Sequence, residues 1–324
     1  MFELGISHRM ELIRGLHNLR PRHHGCVATI GAFDGVHLGH QSVIQHLLEK
    51  ASELSLPSVI IVFEPLPREY LAPVEAPARI MSFAEKFRAL AALGVDRLLR
   101  IRFDASLREM TAQRFVDEIF VAGLGVRYVV LGDDFRFGAD RQGDIEFIQD
   151  QGRRYGYEAC PTSTFCMEGE RVSSTRIREA LATADFAAAE SMLGRPYSIS
   201  GRVILGRQLG RELGTPTANL ELRRLRSPLS GVFVVRVSGG GLHGAHGVAN
   251  VGVRPTVDES IKANLEVHLL DRDVDLYGQR IAVTFLHKLR EEQKFGSMEE
   301  LKRNIAGDIT RARHWFTEWR REQA

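Results

Sequence analysis

The sequence predicts two successive domains: an α/β domain with a parallel sheet, and a smaller antiparallel β domain that ends in a helix. Up to about Pro161, short apolar runs alternate with amphipathic stretches of helical period, which is typical of strands joined by crossover helices. After Gly194 the apolar runs are closely spaced and separated by turn residues, which indicates a small antiparallel barrel or sandwich. The 324 residues suffice for two cores, and we place the domains at residues 1–194 and 195–324.

In the first domain, each predicted strand precedes a predicted helix. The strand and helix pairs are residues 27–31 and 40–54, 58–63 and 82–93, 97–101 and 111–122, and 127–131 and 144–155. The strands are short runs without polar alternation, as expected for a parallel sheet covered on both faces. Ligands bind at the carboxyl ends of such strands, so the segments that follow the strands are candidate sites.

The second domain is predicted to contain mainly strands. They cover residues 197–205, 231–238, 247–251, 265–270 and 280–289. The turns between them are predicted at one glycine triplet, Gly239-Gly240-Gly241, at Pro255 and at Tyr277-Gly278. A helix from Ser297 to about Arg320 ends the chain, with Ser297 as its N-cap and Glu300 completing a capping box.

Composition excludes several classes of protein. Hydrophobic residues make up 44% of the chain, so it is not a disordered tail. Cys26, Cys160 and Cys166 form no Cys-x-x-Cys pair and are too few for a disulfide framework, which favours a reducing compartment. Charges interrupt the N-terminal apolar stretch, and no later run approaches the ~18 apolar residues of a membrane span. We therefore expect a cytoplasmic protein without a membrane partner.

The net charge of +2 is unevenly divided between the two halves of the chain. There are 22 basic and 26 acidic side chains before Arg195, and 21 basic and 15 acidic side chains from that residue onward. The basic half suits phosphate-bearing ligands. Its arginines are nevertheless dispersed and rarely accompanied by aromatic residues, so we expect no nucleic-acid partner. The oligomeric state does not follow from the sequence.

One candidate site follows the first predicted strand, in the string Gly31-Ala-Phe-Asp-Gly-Val-His-Leu-Gly-His40. The chain turns at Asp34-Gly35 and enters a helix, whose N-terminal amides and dipole attract phosphate. His37 and His40 can both point at an anion placed there and stabilise its charge. Taken alone, they could also be capping or surface histidines, and a zinc site finds no third ligand nearby. The chain contains no Gly-x-x-x-x-Gly-Lys-Ser/Thr phosphate loop.

His37-Leu-Gly-His40 resembles the His-x-Gly-His motif of the nucleotidyltransferase superfamily, and the longer string resembles its FMN adenylyltransferase branch. Three further segments are similar to that branch in the same order: Phe63-Glu-Pro-Leu-Pro67, Gly132-Asp-Asp-Phe-Arg-Phe-Gly138 and Val172-Ser-Ser-Thr-Arg-Ile-Arg178. The resemblance implies a Rossmann-like nucleotidyltransferase fold and transfer of AMP from ATP to FMN.

The same resemblance implies roles for individual residues. His37 and His40 are expected to be catalytic. Nucleotide contacts are expected from Gly31, Phe33, Asp34, Gly35, Gly39, Asp134, Ser174, Thr175 and Arg178. Phe63 and Pro65 are expected to form an apolar wall for the flavin ring. From the residues alone, Arg178 could equally be a surface arginine behind a helix cap, and Pro65 could simply close a strand.

A second candidate site lies in the segment from Gly201 to Asn219. Gly206, Gly210 and Gly214 recur at intervals of four, so the backbone of this loop can approach a ligand closely, and Arg211 is available for phosphate. Thr217 and Asn219 are two residues apart in an extended segment, so they point to the same side and suit Mg²⁺. A flexible hairpin loop followed by an edge strand is the alternative.

This segment resembles the glycine-rich loop and Pro-Thr-Ala-Asn motif of riboflavin kinase. The resemblance continues through Gly247-Val-Ala-Asn-Val-Gly-Val-Arg-Pro-Thr256 and Leu265-Glu-Val-His-Leu-Leu-Asp271. It implies that Glu266 is the catalytic base and that Arg290 and Phe295 help to cover the flavin. Without the resemblance, Glu266 would be interpreted as a solvent-facing strand residue paired with a cation.

Together the similar segments span residues 25–313 in the order found in the bifunctional bacterial riboflavin kinase/FMN adenylyltransferase family. Membership implies riboflavin, FMN and ATP as substrates, FMN and FAD as products, and Mg²⁺ as cofactor. Two alternatives stay open at this point. One is a different nucleotidyltransferase, acting on nicotinamide or pantetheine phosphate and fused to an unrelated barrel. The other is a flavin-binding regulator without catalysis.

Overall fold

The computed structural model describes residues 9–132, 135–206, 214–255, 261–272 and 274–322. Contacts within the chain divide it into two compact units, Met1–Pro77 with Phe83–Ser173, and Ala78–Ser82 with Ser174–Ala324. In the part of the chain described, no helix combines the length and apolar character that a membrane crossing requires.

The first unit is built on a six-stranded sheet. Its strands are β1 (Glu11–Arg14), β2 (Cys26–Ile30), β3 (Ser58–Glu64), β4 (Arg97–Arg102), β5 (Val126–Gly132) and β6 (Glu158–Thr162). They lie in the order β1-β4-β3-β2-β5-β6, and every neighbouring pair is parallel. The direction of winding reverses between β2 and β5, so the crevice at their carboxyl ends is the expected ligand site. The predicted Rossmann-like parallel sheet is confirmed.

Helices connect these strands. They are α1 (Leu38–Leu54), α2 (Pro67–Leu71), α3 (Phe83–Ala92), α4 (Ala105–Arg108), α5 (Ala112–Phe115) and α6 (Ile145–Tyr155), and a π-helical segment (Val116–Val121) continues α5. Short 3₁₀ turns occur at Leu16–Asn18, Pro21–His23 and Ala139–Arg141, and a small hairpin pairs β7 (Cys166–Met167) with β8 (Glu170–Arg171). The helices α1, α3 and α6 agree with the predicted ones to within two residues at each end.

The strands β1 and β6 were not predicted, and both lie at the edges of the sheet. Glu and Arg flank the apolar pair in β1, and Pro161 lies within β6. Edge strands face solvent on one side and tolerate such residues, so they lack the continuous apolar run that revealed the central strands.

The second unit begins with two helices and continues as a β-barrel. Its elements are α7 (Ser174–Ala182), α8 (Phe186–Leu193), β9 (Ser198–Ile204), β10 (Ala218–Glu221), β11 (Gly231–Gly239), β12 (Leu242–Pro255), β13 (Ile261–Leu269), β14 (Arg280–Arg290) and α9 (Met298–Glu322). The six strands close in the order β10-β13-β12-β11-β14-β9, and all pairs are antiparallel. The structure therefore selects the barrel over the sandwich.

The terminal helix α9 covers one outer face of the barrel. Val232, Val234 and Val248 pack there against Ala312 and Phe316. The helix starts as predicted at its N-cap, where the Ser297 hydroxyl accepts from the Glu300 N–H at 3.1 Å. The Glu300 carboxylate reaches back to the Gly296 N–H at 2.9 Å, one residue earlier than in a standard capping box.

Candidate active sites

In the first unit, a tight turn that is buried from Phe33 to His37 connects β2 to α1. The strand β2 is buried throughout, and the next amide, that of Gly31, donates to the Ile61 carbonyl of β3 at 3.1 Å. Gly35 adopts φ +91°, and the non-glycine residues Phe33 and Val36 also have positive φ, at +46° and +42°. Such residues are uncommon and cluster where function fixes the backbone. Asp34, at the apex, is only 2% exposed.

The turn places His37 and His40 at the start of α1, where their rings stack. Their ring centroids are 3.6 Å apart and the planes differ by 20°. His37 is the N-cap, and its Nδ1 accepts from the His40 N–H at 3.3 Å. Because Nδ1 is an acceptor, the proton of neutral His37 is on Nε2, which is then a donor. A Cβ added at Gly39 would lie 3.2 Å from the His37 ring, so glycine leaves room for the pair.

His40 carries a buried polar atom that the protein does not pair. Its Nδ1 has no hydrogen-bond partner among the described residues. Burial, the neighbouring His37 and the charge of Lys86 together hold the pKa of His40 well below its usual 6.5. His40 is therefore neutral near pH 7, with a ring nitrogen available to a ligand.

Lys86 belongs to this neighbourhood, although its role was not predicted. It lies on α3, is 1% exposed, and its ammonium donates to the Ala32 carbonyl in the turn at 2.5 Å. The signal available in the sequence was a lysine on the apolar face of an amphipathic helix. Lysine normally extends from such positions toward water, so the pattern alone did not distinguish Lys86 from a surface residue.

The other residues predicted for this reaction are distributed over both units. Phe63 and Pro65 are half-buried at the end of β3, and the Phe63 ring contacts the Phe103 ring edge-on at 5.8 Å. Asp134 lies outside the described residues. Ser174, Thr175 and Arg178 lie on α7, which begins at Ser174 as predicted and groups with the second unit. The Arg178 Nε donates to the Ala78 carbonyl at 2.7 Å.

In the second unit, three polar side chains form a row across adjacent strands of the barrel. Asn219 of β10 lies opposite Glu266 of β13, which in turn lies opposite Asn250 of β12. The Glu266 Oε1 accepts from the Asn264 Nδ2 at 2.9 Å. Neighbouring strands are about 4.8 Å apart, so the row gathers a carboxylate and several amides within a small area. The roles of Asn250 and Asn264 were not predicted, although Asn250 lies in a segment that carries the family resemblance.

Asn219 is the most buried member of the row, at 6% exposure. Its Oδ1 has no hydrogen-bond partner within the ranges that the structure describes. A Cβ added at Gly206 would lie 2.4 Å from the Asn219 Nδ2, so this amide packs directly against the glycine. A buried carbonyl oxygen without a donor suits a hard cation. Gly210 and Arg211 lie outside the described residues.

Thr217, half-buried and just before β10, lines a pocket of about 210 Å³. Apolar side chains form much of its wall: Val203, Ala218, Val267, Leu269 and Leu276. Gly214 precedes the pocket with φ +76°. Of the two predicted Mg²⁺ ligands, Thr217 thus lines a cleft of partly apolar character, whereas Asn219 is not among its lining residues.

Arg290 is the last residue of β14, and Phe295 lies in the segment between β14 and α9. The Arg290 guanidinium donates to both carboxylate oxygens of Asp308, with its Nη2 2.8 Å from Oδ2. The guanidinium also lies 5.5 Å from the centre of the Phe295 ring. Asp308 is almost fully buried and also accepts from Arg311 at 2.5 Å. The ion pair fixes the direction of Arg290 and joins the last strand to the terminal helix.

Comparisons with known proteins agree with this arrangement. The family model for FAD synthetase matches residues 19–176, and that for riboflavin kinase matches residues 193–316. A bifunctional riboflavin kinase/FMN adenylyltransferase from Pseudomonas fluorescens is 53% identical over 304 residues, covering 94% of this chain and 97% of the relative. Another, from Escherichia coli (strain K12), is 50% identical over 308 residues, which cover 95% of this chain and 98% of the relative.

A solved structure of a protein described as a macrolide-efflux protein from Streptococcus pneumoniae has the same fold. It aligns with a TM-score of 0.75 at 30% identity, over 94% of this chain and 100% of that one. Sequence, fold and site geometry lead to the same conclusion. The chain belongs to the family of bifunctional riboflavin kinases/FMN adenylyltransferases.

Proposed function

We propose that this chain makes FAD from riboflavin in two ATP-dependent steps. The second unit converts riboflavin and ATP to FMN and ADP, and the first unit converts FMN and ATP to FAD and pyrophosphate. The observation that carries the proposal is that, among the described residues, each unit holds a buried, unpaired polar atom on a residue of its motif, His40 Nδ1 and Asn219 Oδ1. Such atoms are costly to the folded protein unless a ligand completes them.

In the kinase step, Glu266 is the general base. Its carboxylate takes the proton of the terminal ribityl hydroxyl while that oxygen bonds to the γ-phosphorus, and the bond from the γ-phosphorus to the bridging oxygen breaks to release ADP. The Asn264 amide holds one carboxylate oxygen, which orients the base. Glu266 is half-buried, so its carboxylate stays within reach of a substrate.

Thr217 and Asn219 are the residues that would hold Mg²⁺. The Asn219 Oδ1, which has no hydrogen-bond partner among the described residues, is an oxygen ligand of the kind that Mg²⁺ requires. When bound, the ion neutralises phosphate charge and orients the γ-phosphate. The apolar pocket beside Thr217 suits the adenine of ATP. Gly206, Gly210 and Gly214 allow the backbone of the preceding loop to approach the phosphates, which Arg211 would contact.

In the adenylylation step, a phosphate oxygen of FMN bonds to the α-phosphorus of ATP, and the bond to the leaving pyrophosphate breaks. The Nε2–H of His37 and the neutral imidazole of His40 stabilise the developing charge, assisted by the N-terminus of α1. The residues of the turn, Gly31, Phe33, Asp34, Gly35 and Gly39, contact the nucleotide, as do Asp134, Ser174, Thr175 and Arg178. No covalent enzyme intermediate is needed, because positioning and electrostatics suffice.

The flavin ring is bound by different residues in the two reactions. Phe63 and Pro65 offer an apolar wall to FMN in the first unit. Phe295, beside the ion-paired Arg290, covers the ring in the second. Small molecules are therefore the only partners we propose, with no role for nucleic acid or membrane.

A reducing, ATP-rich compartment, the cytoplasm, suits these reactions. All three cysteines are free, and burial raises the pKa of Cys26 to about 12, which keeps that thiol unreactive.

Product analysis tests the proposed function directly. Purified protein is incubated with MgATP and either riboflavin or FMN, and the flavins are separated by chromatography. Riboflavin should yield FMN and then FAD, and FMN should yield FAD. Adenylylation of nicotinamide mononucleotide or pantetheine phosphate in place of FMN would support a different nucleotidyltransferase. Flavin binding without turnover of either substrate would support a regulator.

A further inference from the structure

Lys86 is an unusual residue to find in the core of the first unit. Lysine is almost never fully buried, because removing its charge from water costs several kcal/mol unless the site compensates for it. Lys86 is nevertheless among the largest fully buried side chains described. Its ammonium reaches from α3 to the Ala32 carbonyl, 54 residues earlier in the chain. A lysine retained at such cost commonly has a function.

Ala32 is the second residue of the turn that delivers the histidine pair. Between Ala32 and His37 the chain passes through Phe33, Gly35 and Val36, all with positive φ. A backbone with several such residues keeps its shape only where surrounding contacts fix it. The Lys86 hydrogen bond is one of these contacts, and it acts at the start of the turn.

We infer that Lys86 is a positioning residue of the adenylylation site, whose ammonium fixes the turn through the Ala32 carbonyl and so sets where His37 and His40 meet the nucleotide. This inference rests on the proposed function of the first unit.

The charge of Lys86 has a second effect on the same site. It adds to burial and to His37 in keeping His40 neutral, since each of the three disfavours the protonated ring. Among the described residues, three side chains surround His40. The His37 ring stacks on it at the start of α1, the charge of Lys86 on α3 lowers its pKa, and the nearby Phe33 ring carries no charge. A neutral His40 offers its unpaired nitrogen to the substrate without adding a second buried cation.

The test replaces Lys86 by Met, which keeps the length of the side chain and removes the ammonium, and by Arg, which keeps a cation. Lys50→Met on α1, where Lys50 pairs with Glu53 at the surface, is the control. Each preparation is assayed for adenylylation of FMN, for phosphorylation of riboflavin and for thermal unfolding. We expect Lys86→Met to lower kcat for adenylylation about 10²-fold, the effect of a small misplacement of catalytic groups, with little change in KM.

Kinase activity should be unchanged in every variant, and Lys86→Arg should recover at least a tenth of the parent kcat for adenylylation. Adenylylation within twofold of the parent in Lys86→Met would overturn the inference. So would an equal loss in the Met and Arg variants together with a lowered unfolding temperature, because Lys86 would then only support the fold.

An NMR titration separates this inference from the proposed function. The signal of His40, one of 12 histidines, is assigned by its loss in His40→Asn. In Lys86→Met the pKa of His40 should rise toward its usual value, and an unmoved pKa would contradict the coupling. If the parent makes no FAD from FMN, the proposed function fails, while the titration still decides whether Lys86 acts on His40.

Discussion

Asn219 and Glu266 lie directly opposite each other on the antiparallel strands β10 and β13. Their register places a buried, unpaired amide oxygen next to a half-buried carboxylate on one face of the barrel. In a phosphoryl transfer, the base removes the proton of the attacking hydroxyl, while the cation binds the phosphates of the nucleotide. The base and the ligand that holds the cation must therefore lie close together. In the proposed kinase step, this single strand pairing would bring both groups to the γ-phosphate.

Replacing Glu266 by Gln should abolish most riboflavin phosphorylation and leave FMN adenylylation intact. Gln keeps the size of the side chain and one hydrogen-bonding oxygen but cannot take a proton near neutral pH. A positioned base contributes ~10²–10⁴ to the rate, so a loss of that size is expected when riboflavin and FMN are supplied in separate assays.

Glu221→Gln on β10 is the matched control for this change. Its carboxylate is exposed and pairs with Arg223, so kinase activity should stay at the parent level. An equal fall of both activities in Glu266→Gln would point to loss of folding, and undiminished kinase activity would make Glu266 an ordinary strand residue.

Gly206→Ala should weaken the kinase without unfolding the barrel. The added Cβ would lie 2.4 Å from the Asn219 Nδ2, and the end of that side chain can move more easily than backbone. The displaced amide would then hold Mg²⁺ poorly, so the Mg²⁺ concentration needed for half-maximal rate should rise. Gly244→Ala, near the start of β12 with φ +73° and no atom within 4 Å of the added Cβ, introduces backbone strain without touching the site and should leave the Mg²⁺ dependence unchanged.

Local patterns in the sequence predicted most of this fold, whereas the non-local contacts of the sites required the structure. The helix α1 and the strand β2 differ from their predicted ranges by at most two residues, because apolar periodicity and the glycine turn are local signals. The pairing of Glu266 with Asn219 depends on the register of distant strands. The role of Lys86 depends on packing between α3 and the turn, which no local pattern encodes.

His40→Ala should block FAD formation while FMN accumulates from riboflavin. Losing one preorganised hydrogen-bonding group at a reacting phosphate typically costs ~10²–10³ in rate. His46→Ala, on the same helix and 6.3 Å from the Tyr128 ring, is the control and should retain adenylylation. FAD synthesis from FMN at the parent rate in His40→Ala would remove the His-x-Gly-His motif from the mechanism.

The lowered pKa of His40 also fixes the direction of its pH dependence. Burial, His37 and Lys86 favour the neutral ring, so the folded-state pKa lies well below 6.5. Adenylylation should therefore persist as the pH falls through 6.5 and decline only at more acidic pH, where His40 takes up a proton. The rate is measured against pH with FMN as substrate, and a decline centred at 6.5 would contradict the burial argument.

A fragment spanning residues 174–324 should be more stable than one spanning residues 195–324. Only the longer one keeps α8, whose Phe186 ring lies 6.0 Å from Phe233 and 6.2 Å from Phe285. Phe186 is half-buried, so it contributes part of the ~1.5–3 kcal/mol of a fully buried phenylalanine side chain, and its aromatic contacts add ~0.5–1.5 kcal/mol. Thermal unfolding of the two fragments measures the difference.

Both fragments should nevertheless phosphorylate riboflavin, and neither should make FAD. Each lacks Ala78–Ser82, which groups with the second unit and whose Ile80 carbonyl accepts from the Tyr197 hydroxyl at 3.2 Å and from Arg224 at 3.1 Å. Losing hydrogen-bond acceptors for the buried Arg224 costs ~1–3 kcal/mol of stability. Both fragments should therefore unfold at a lower temperature than the full chain. The row formed by Asn219 and Glu266 depends only on barrel strands, so its chemistry should survive this loss.

Detectable FAD from either fragment would contradict the assignment of adenylylation to the first unit. A folded longer fragment without kinase activity would contradict the assignment of phosphorylation to the barrel.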